Sequence, residues 1–448
     1  MAKRKINMDV INPNAAGIDI GSRSHFVAIN QNIDDVREFG VYAQNLKELV
    51  QWLLKNNIKS VAMESTGSYW QNLYSQLQSY GFEVILANGK FTKNIKGKKT
   101  DVLDCMWIQK LHTLGLLNTS FLPDLQTEQL RTLCRNRENL VNTAAKAAKR
   151  MSQNMRLMNL RLDIVVKDIV GLTGLKIIHE ICNGETDGKK LAKLRHGNCK
   201  KSEEEIAMAL QSNNREDFLF VLQQELNQYQ HIQKLIEQCD LQIKKLLDSY
   251  IKNDDVKNSL YIDPKVHKRI NKNTPKNIDL NLIAYQYFDG VDLYMIEGFS
   301  HATVLTLMSE LGEHGIRKFH SQQHFSSWLR LAPNNKISGG RVLSSKTPKG
   351  SNRLKIALRQ AANAIGNLKN THLSDFFNRV AFRKGRTVAI SATARKLAVI
   401  IWNMLYKNQQ YNPPTTYEYL DQKRKRKVKQ LKKQLANLDA QMSKMNPC

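Results

Sequence analysis

The stretch Ala16-Gly17-Ile18-Asp19-Ile20-Gly21-Ser22 decides how this chain is read. Ala16 to Ile20 has the composition of a buried strand with one carboxylate set into it. Gly21-Ser22 is turn chemistry, and His25-Phe26-Val27-Ala28-Ile29 returns as a second strand. A third strand is expected between Val36 and Tyr42. Outward from this hairpin, Leu46 to Leu54 reads as a helix, Val61-Ala62-Met63 as a short strand ending at Glu64, Tyr69 to Tyr80 as a helix, and Phe82 to Leu86 as another strand. A basic loop runs from Lys90 to Lys99. Thr100 is placed to cap a helix from Asp101 to about Leu114. Adjacent strands followed by alternating helix and strand imply a mixed sheet flanked by helices, an α/β domain over residues 1–122.

Four carboxylates stand out in it. Asp19 lies within the first strand, and Glu64 closes a buried one. Asp101 and Asp104, three residues apart, share a helix face. An Asp-x-x-Asp at a helix start is ordinary charge at the positive end of the dipole. A carboxylate inside an apolar strand is harder to explain, because burying it unpaired is costly. Four such groups gathered together repel one another unless cations neutralise them. Oxygen ligands with water suit Mg²⁺, as one ion or as the two-metal clamp that phosphoryl transfer uses.

The charge is uneven. The chain of 448 residues has 68 Lys and Arg against 40 Asp and Glu, a net of +28. Residues 1–120 hold 14 basic and 10 acidic residues, whereas residues 316–433 hold 26 basic residues and three acids, Asp375, Glu418 and Asp421. One sign sustained over that length implies a polyanionic partner, nucleic acid first and an anionic membrane surface second. No run of about 18 apolar residues suggests a spanning helix, and the N-terminus lacks a signal-like apolar stretch. Six cysteines without a CxxC pair argue against a disulfide framework or zinc ribbon and for a reducing, cytoplasmic setting.

Beyond residue 122 the pattern is helical. Apolar residues recur at helical spacing from Leu130 to Leu162, and again from Leu222 to Tyr250. Residues 123–255 therefore read as a coiled-coil or hairpin arm with a weakly patterned insertion at 170–215. Residues 256–290 read as a polar linker, 291–410 as a mainly helical domain, and 411–448 as a basic helical tail. In that tail Val428, Leu431, Leu435, Leu438, Met442 and Met445 form a heptad seam. Tyr294 to Ser300 is similar to a helix-hairpin-helix backbone grip on DNA, with Ser300 where the second Gly is usual.

Three segments now make a set: Gly17-Ile18-Asp19-Ile20, Met63-Glu64-Ser65-Thr66-Gly67, and Lys99-Thr100-Asp101-Val102-Leu103-Asp104. With Phe325 to Pro333, Ser338-Gly339-Gly340 and Lys349 to Leu354, the set resembles the DEDD transposases of the "one-ten" insertion-sequence family, relatives of the Piv DNA invertase. The resemblance implies a RuvC-like (ribonuclease-H-like) N-terminal domain, a long coiled coil and a helical C-terminal transposase domain. It implies that Asp19, Glu64, Asp101 and Asp104 hold Mg²⁺ and that Ser338 is the nucleophile. A covalent phosphoserine link to DNA would follow from that attack. It also implies a non-coding guide RNA that pairs with donor and target DNA, homodimers that join into a tetramer, no membrane partner, and a nucleoid-associated prokaryotic protein. Taken alone, Ser-Gly-Gly is a turn, and Ser344, Ser345 and Ser351 are equally basic neighbours. A serine hydroxyl becomes nucleophilic only when a base or cation acts on it. Lys98, Lys99, Arg150, Lys336, Arg341, Lys346, Lys349, Asn352 and Arg353 are the expected nucleic-acid contacts.

Three rival readings share parts of this sequence. A RuvC-like nuclease would hydrolyse DNA with the four carboxylates and no serine step. Gly-Ile-Asp-Ile-Gly-Ser also opens actin-like sugar kinases, but a second phosphate loop is missing and +28 fits poorly. A non-catalytic binding protein would need no cation.

Overall fold

The computed structural model describes residues 9–65, 67–87, 89, 100–117, 119–252, 255, 259–260, 270–350, 352–414 and 416–445. The chain divides into two compact units, Met1–Leu122 and Pro123–Cys448.

In the first unit, β1 (Ala15–Ile20), β2 (Ser24–Ala28) and β3 (Arg37–Gly40) form an antiparallel meander. β4 (Ser60–Glu64) and β5 (Glu83–Ala87) add in parallel on the other side of β1. The order across the sheet is β3-β2-β1-β4-β5, which puts the Asp19 strand at the centre. Strand alternation divides the faces. Ala16, Ile18 and Ile20 of β1, Val61 and Met63 of β4, and Val84 and Leu86 of β5 bury against α1 (Ala43–Lys55) and α2 (Trp70–Ser79). The opposite face holds Ala62 and Ala87, which pack with Ile108 and Leu111 of α3 (Asp101–Thr113). Central strands covered on both faces are near-continuously apolar, and that is why they stood out in the sequence.

The second unit is helical. α4 (Leu125–Leu157) and α8 (Glu216–Lys252) run antiparallel as a long pair. Its register is marked by Arg150 to Glu225 at 2.5 Å, Arg137 to Asp240 at 2.5 Å, and Tyr250 Oη donating to Gln126 O at 2.9 Å. The first stripe, expected to run on to Leu162 and beyond, ends at Leu157, where Asn159 turns the chain with φ of 63°. The weakly patterned 170–215 is a folded knob. Short helices α5 (Leu172–Cys182), α6 (Gly188–Ala192) and α7 (Glu203–Ala209) bury Ile177, Ile178, Ile181, Leu191 and Ile206 against Met151, Met155 and Leu222 of the long pair.

The expected linker 256–290 also needs correction. Residues 253–254, 256–258 and 261–269 lie outside the described residues. Its end is α9 (Leu280–Tyr287), which buries Leu280, Ile283, Ala284 and Tyr287. From there α10 (His301–Leu311), α11 (Gln322–Trp328), α12 (Arg353–Ile365), α13 (His372–Lys384) and α14 (Arg386–Lys407) build one helical body around Tyr294, Phe325, Phe377 and Leu397. Arg131 donates to the carbonyls of Ser309 and Glu310, and Arg135 makes a bidentate pair with Glu310 at 2.8 Å, so the base of α4 is fastened to that body. α14 is long and apolar enough to cross a membrane by composition alone, a helix the sequence reading did not single out. Its Ala394, Leu397, Ala398 and Ile401 are core residues. The tail helix α15 (Thr416–Met445) leaves Val428, Leu431, Leu435 and Leu438 about half exposed or more.

Candidate active site

Asp19 and Glu64 are brought side by side. The β1–β4 register pairs Ile18 with Met63, so the next step along two parallel strands sets Asp19 beside Glu64, with strands about 4.8 Å apart. Both follow a buried residue that faces α1 and α2, and by alternation both turn toward the α3 face. Gly17 shows how close α3 comes. A Cβ there would lie 2.2 Å from Gln109 N and 2.5 Å from Cys105 O, so only glycine lets the helix cross the strand at this point. Gln109 locks the contact by donating from Nε2 to Ala15 O at 3.1 Å.

α3 begins where its chemistry predicts. The Thr100 hydroxyl accepts from Leu103 N, and Asp101 and Asp104 occupy the first turn. Cys105 reports on the neighbourhood. Its thiol is pushed up to about 12, first by burial and then by the negative charges of Asp19 and Asp104. Asp101, one turn earlier, is exposed. Glu64 reaches toward Gly89, whose absent Cβ would stand 2.3 Å from Glu64 Oε1.

All the donors in this set are oxygens, which fits a hard divalent cation. Their carboxylate atoms are not drawn into one tight cluster. Among the described residues, the group whose donor atoms all lie within 4.8 Å of one another is Asp289, Glu313 and His314, which the sequence reading missed. There Glu313 Oε1 and His314 Nε2 pair at 2.9 Å.

Ser338 lies in the second unit. It ends β6 (Lys336–Ser338), which pairs with β7 (Arg341–Ser344) through a two-residue turn. Gly339 and Gly340 have φ of 55° and 73°, the combination a type I′ hairpin needs and that side chains resist. Ser338 faces Arg341 across the register and is exposed. Ile337, Val342 and Leu343 are 59–70% exposed, so the hairpin lacks a core of its own.

The expected nucleic-acid contacts separate into groups. Lys336, Arg341, Lys346 and Lys349 are exposed on the hairpin and the loop after it. Arg330 Nη1 donates to Lys349 O at 2.8 Å and fixes that loop. Arg150 is instead a clasp between the two long helices, held by Glu225 and by Gln228 at 2.7 Å. Arg353 pairs with Glu138 of α4. Asn352 caps α12 by accepting from Lys355 N at 3.0 Å. These three are engaged inside the protein, because an acid or a bare helix end of the same chain reaches them first. Lys98 and Lys99 lie outside the described residues, as does Ser351.

Two family models match the chain on the segments that carry these groups. One, described as a transposase of the DEDD IS110 type, covers residues 16–159. The other, described as the transposase IS116/IS110/IS902 family, covers residues 292–378. The chain belongs to the IS110-type DEDD transposases. The first match takes in Asp19, Glu64, Asp101 and Asp104, and the second takes in Ser338. No curated protein matches the transposase. It is an enzyme that acts on DNA, with an α/β N-terminal sheet and a largely helical remainder.

Proposed function

We propose that this transposase excises and inserts its own insertion sequence by serine attack on DNA, guided by an RNA. The observation that supports the reading is the adjacent placement of Asp19 and Glu64 on the two central strands, on the face that α3 crosses at Gly17. The strand order β3-β2-β1-β4-β5 supports a ribonuclease-H-like, RuvC-like domain. The antiparallel α4–α8 pair supports a coiled-coil arm, and the division of the chain supports a separate region at 1–122.

Asp19, Glu64, Asp101 and Asp104 would hold Mg²⁺, which when bound offsets the charge of the scissile phosphate. Ser338 Oγ forms a bond to phosphorus while the bond from phosphorus to the 3′ oxygen breaks. The serine proton passes to a carboxylate or water, and the leaving strand keeps a 3′ hydroxyl. A second 3′ hydroxyl then attacks the 5′-phosphoserine, breaks the Oγ–P bond and restores the phosphodiester. The exposed hairpin supports this role, since a nucleophile free of core contacts can reach a phosphate held elsewhere in an assembly. Between residues 314 and 374 there are eleven Lys and Arg and no acid, which suits donor and target DNA and a guide RNA. In this reading homodimers join into a tetramer, so that the hairpin of one protomer serves the carboxylates of another.

Trapping tests the chemistry. Incubation of the protein with element-end DNA and Mg²⁺, followed by denaturing gels and mass spectrometry, should show a DNA adduct on Ser338 that Ser338→Ala lacks. Cleavage that persists in Ser338→Ala without any adduct would establish the nuclease reading instead. Sequencing of co-purified nucleic acid tests the guide, and recovery of a discrete RNA encoded beside the gene is the expected result.

A further inference from the structure

Phe382 is 94% exposed, more than any other large apolar side chain among the described residues. It sits in the last turn of α13, whose Leu373 and Phe377 are buried on the other side. A single exposed hydrophobic residue needs no explanation by itself. The surroundings of this one do. Arg379 lies one turn earlier on the same side of the helix, and Arg383 stands one turn beyond Arg379. Arg379 Nε and Arg383 Nε donate to carbonyls of their own helix, of Asp375 at 3.4 Å and of Arg379 at 3.3 Å, so both guanidinium groups lie along the helix surface. From residue 376 to 417 there are seven Lys and Arg and no acid. A second copy of this strongly positive chain would meet repulsion here. An occupant with negative charge and a flat apolar face would not.

Unpaired nucleobases have that chemistry. In a duplex both faces of each base are covered by the stack, whereas a base in a single strand offers a face to an aromatic ring, with phosphates on either side for cations. We propose that Phe382 is a stacking platform for an unpaired base of a single strand whose phosphates lie along Arg379 and Arg383. The position falls beyond the matched family segment, which ends at residue 378. The proposal rests on the reading of this surface as a nucleic-acid interface.

Binding of the full-length protein to short oligo-dT, short oligo-rU and a fully paired DNA duplex tests it by fluorescence anisotropy. Phe382→Ala should weaken binding to one or both single strands by about 5- to 150-fold, the scale of one lost base stack. Duplex affinity should stay within about twofold, since phosphate contacts are untouched. Phe382→Trp should restore single-strand binding, with indole emission quenched by the strand. Phe382→Leu, apolar without a π face, should not restore it. Whichever strand responds names the source, DNA or RNA. Unchanged single-strand binding in Phe382→Ala, an equal loss on duplex, or full rescue by Leu would overturn the proposal. A wild-type chain that binds neither duplex nor single strand would instead overturn the interface reading beneath it.

Discussion

The carboxylate face and the serine hairpin are built in opposite ways. Asp19 and Glu64 are fixed by the two central strands of a sheet, and α3 is pinned over them at Gly17 and Gln109. Ser338 sits at the tip of two short strands whose apolar residues are mostly exposed. A two-stranded ribbon without a covering layer is marginal in water. Rigidity belongs to the first region and exposure to the second. In the proposed reading that contrast has a use: a phosphoryl-transfer site needs its charges held in advance, while a nucleophile that must form and release a covalent bond gains from freedom to move.

The largest expected effect probes the fixed side. Asp19→Asn should lower strand cleavage by about a thousandfold or more, the scale on which a lost electrostatic element acts, with little change in melting temperature or DNA affinity. Cleavage within tenfold of wild type would mean that the sheet holds a structural acid rather than a site. Asp240→Ala probes the interior of the second unit. Asp240 is 1% exposed and pairs with Arg137, itself buried, so the variant leaves a buried guanidinium without its carboxylate. About 3–5 kcal/mol of stability should be lost in denaturant melts, and a loss below about 1 kcal/mol would show that solvent reaches the pair.

Two glycine variants set the regions against each other. Gly17→Ala pushes a methyl into the α3 backbone and should cost about 1–3 kcal/mol. Gly339→Ala meets nothing within 4 Å. It should cost about 1 kcal/mol locally through its positive φ, and global melting should not shift. Equal shifts in both variants would erase the contrast. A smaller effect follows from His25 and His112, both nearly fully buried in the first unit and held below the usual imidazole value by burial. The folded protein keeps them neutral, and the unfolded chain protonates them below about pH 6.5. Stability is therefore full above that pH and declines as pH falls toward the lowered folded values. Thermal melts between pH 7.5 and 5.5 should show the decline, and His112→Gln should flatten it. Smallest of all, Lys336→Ala and Arg341→Ala should each reduce the slope of log affinity against log salt by about one. Arg150→Ala should leave that slope alone and weaken the arm instead. A salt slope that falls only in Arg150→Ala would reverse this assignment.

How much was legible depended on how each signal arises. β1 and β4 were visible because central strands buried on both sides become nearly unbroken apolar runs. The first turn of α3 was visible because Thr100 caps it and two aspartates follow. The knob at 170–215 was not, because its helices are 5 to 11 residues long and complete their core only against Met151, Met155 and Leu222. The helix Leu280–Tyr287 was hidden by the polar residues before it. Arg150, Asn352 and Arg353 each have a partner within the chain that the sequence did not show, for a shared reason. A basic or amide side chain shows its charge or donors in sequence, but not which acceptor will stand within reach.

By itself the sequence determined the periodicities, the placement of the acids on a strand and a helix, and the charge imbalance, since these depend on local residue order alone. The tertiary structure decided that β4 pairs beside β1, so that Glu64 stands at the position next to Asp19, and that α3 crosses the sheet at Gly17. It also decided that Ser338 stands out on a bare hairpin. Strand order, crossing point and exposure depend on contacts between residues far apart in the chain, and those exist only after burial of the two apolar faces has chosen one arrangement.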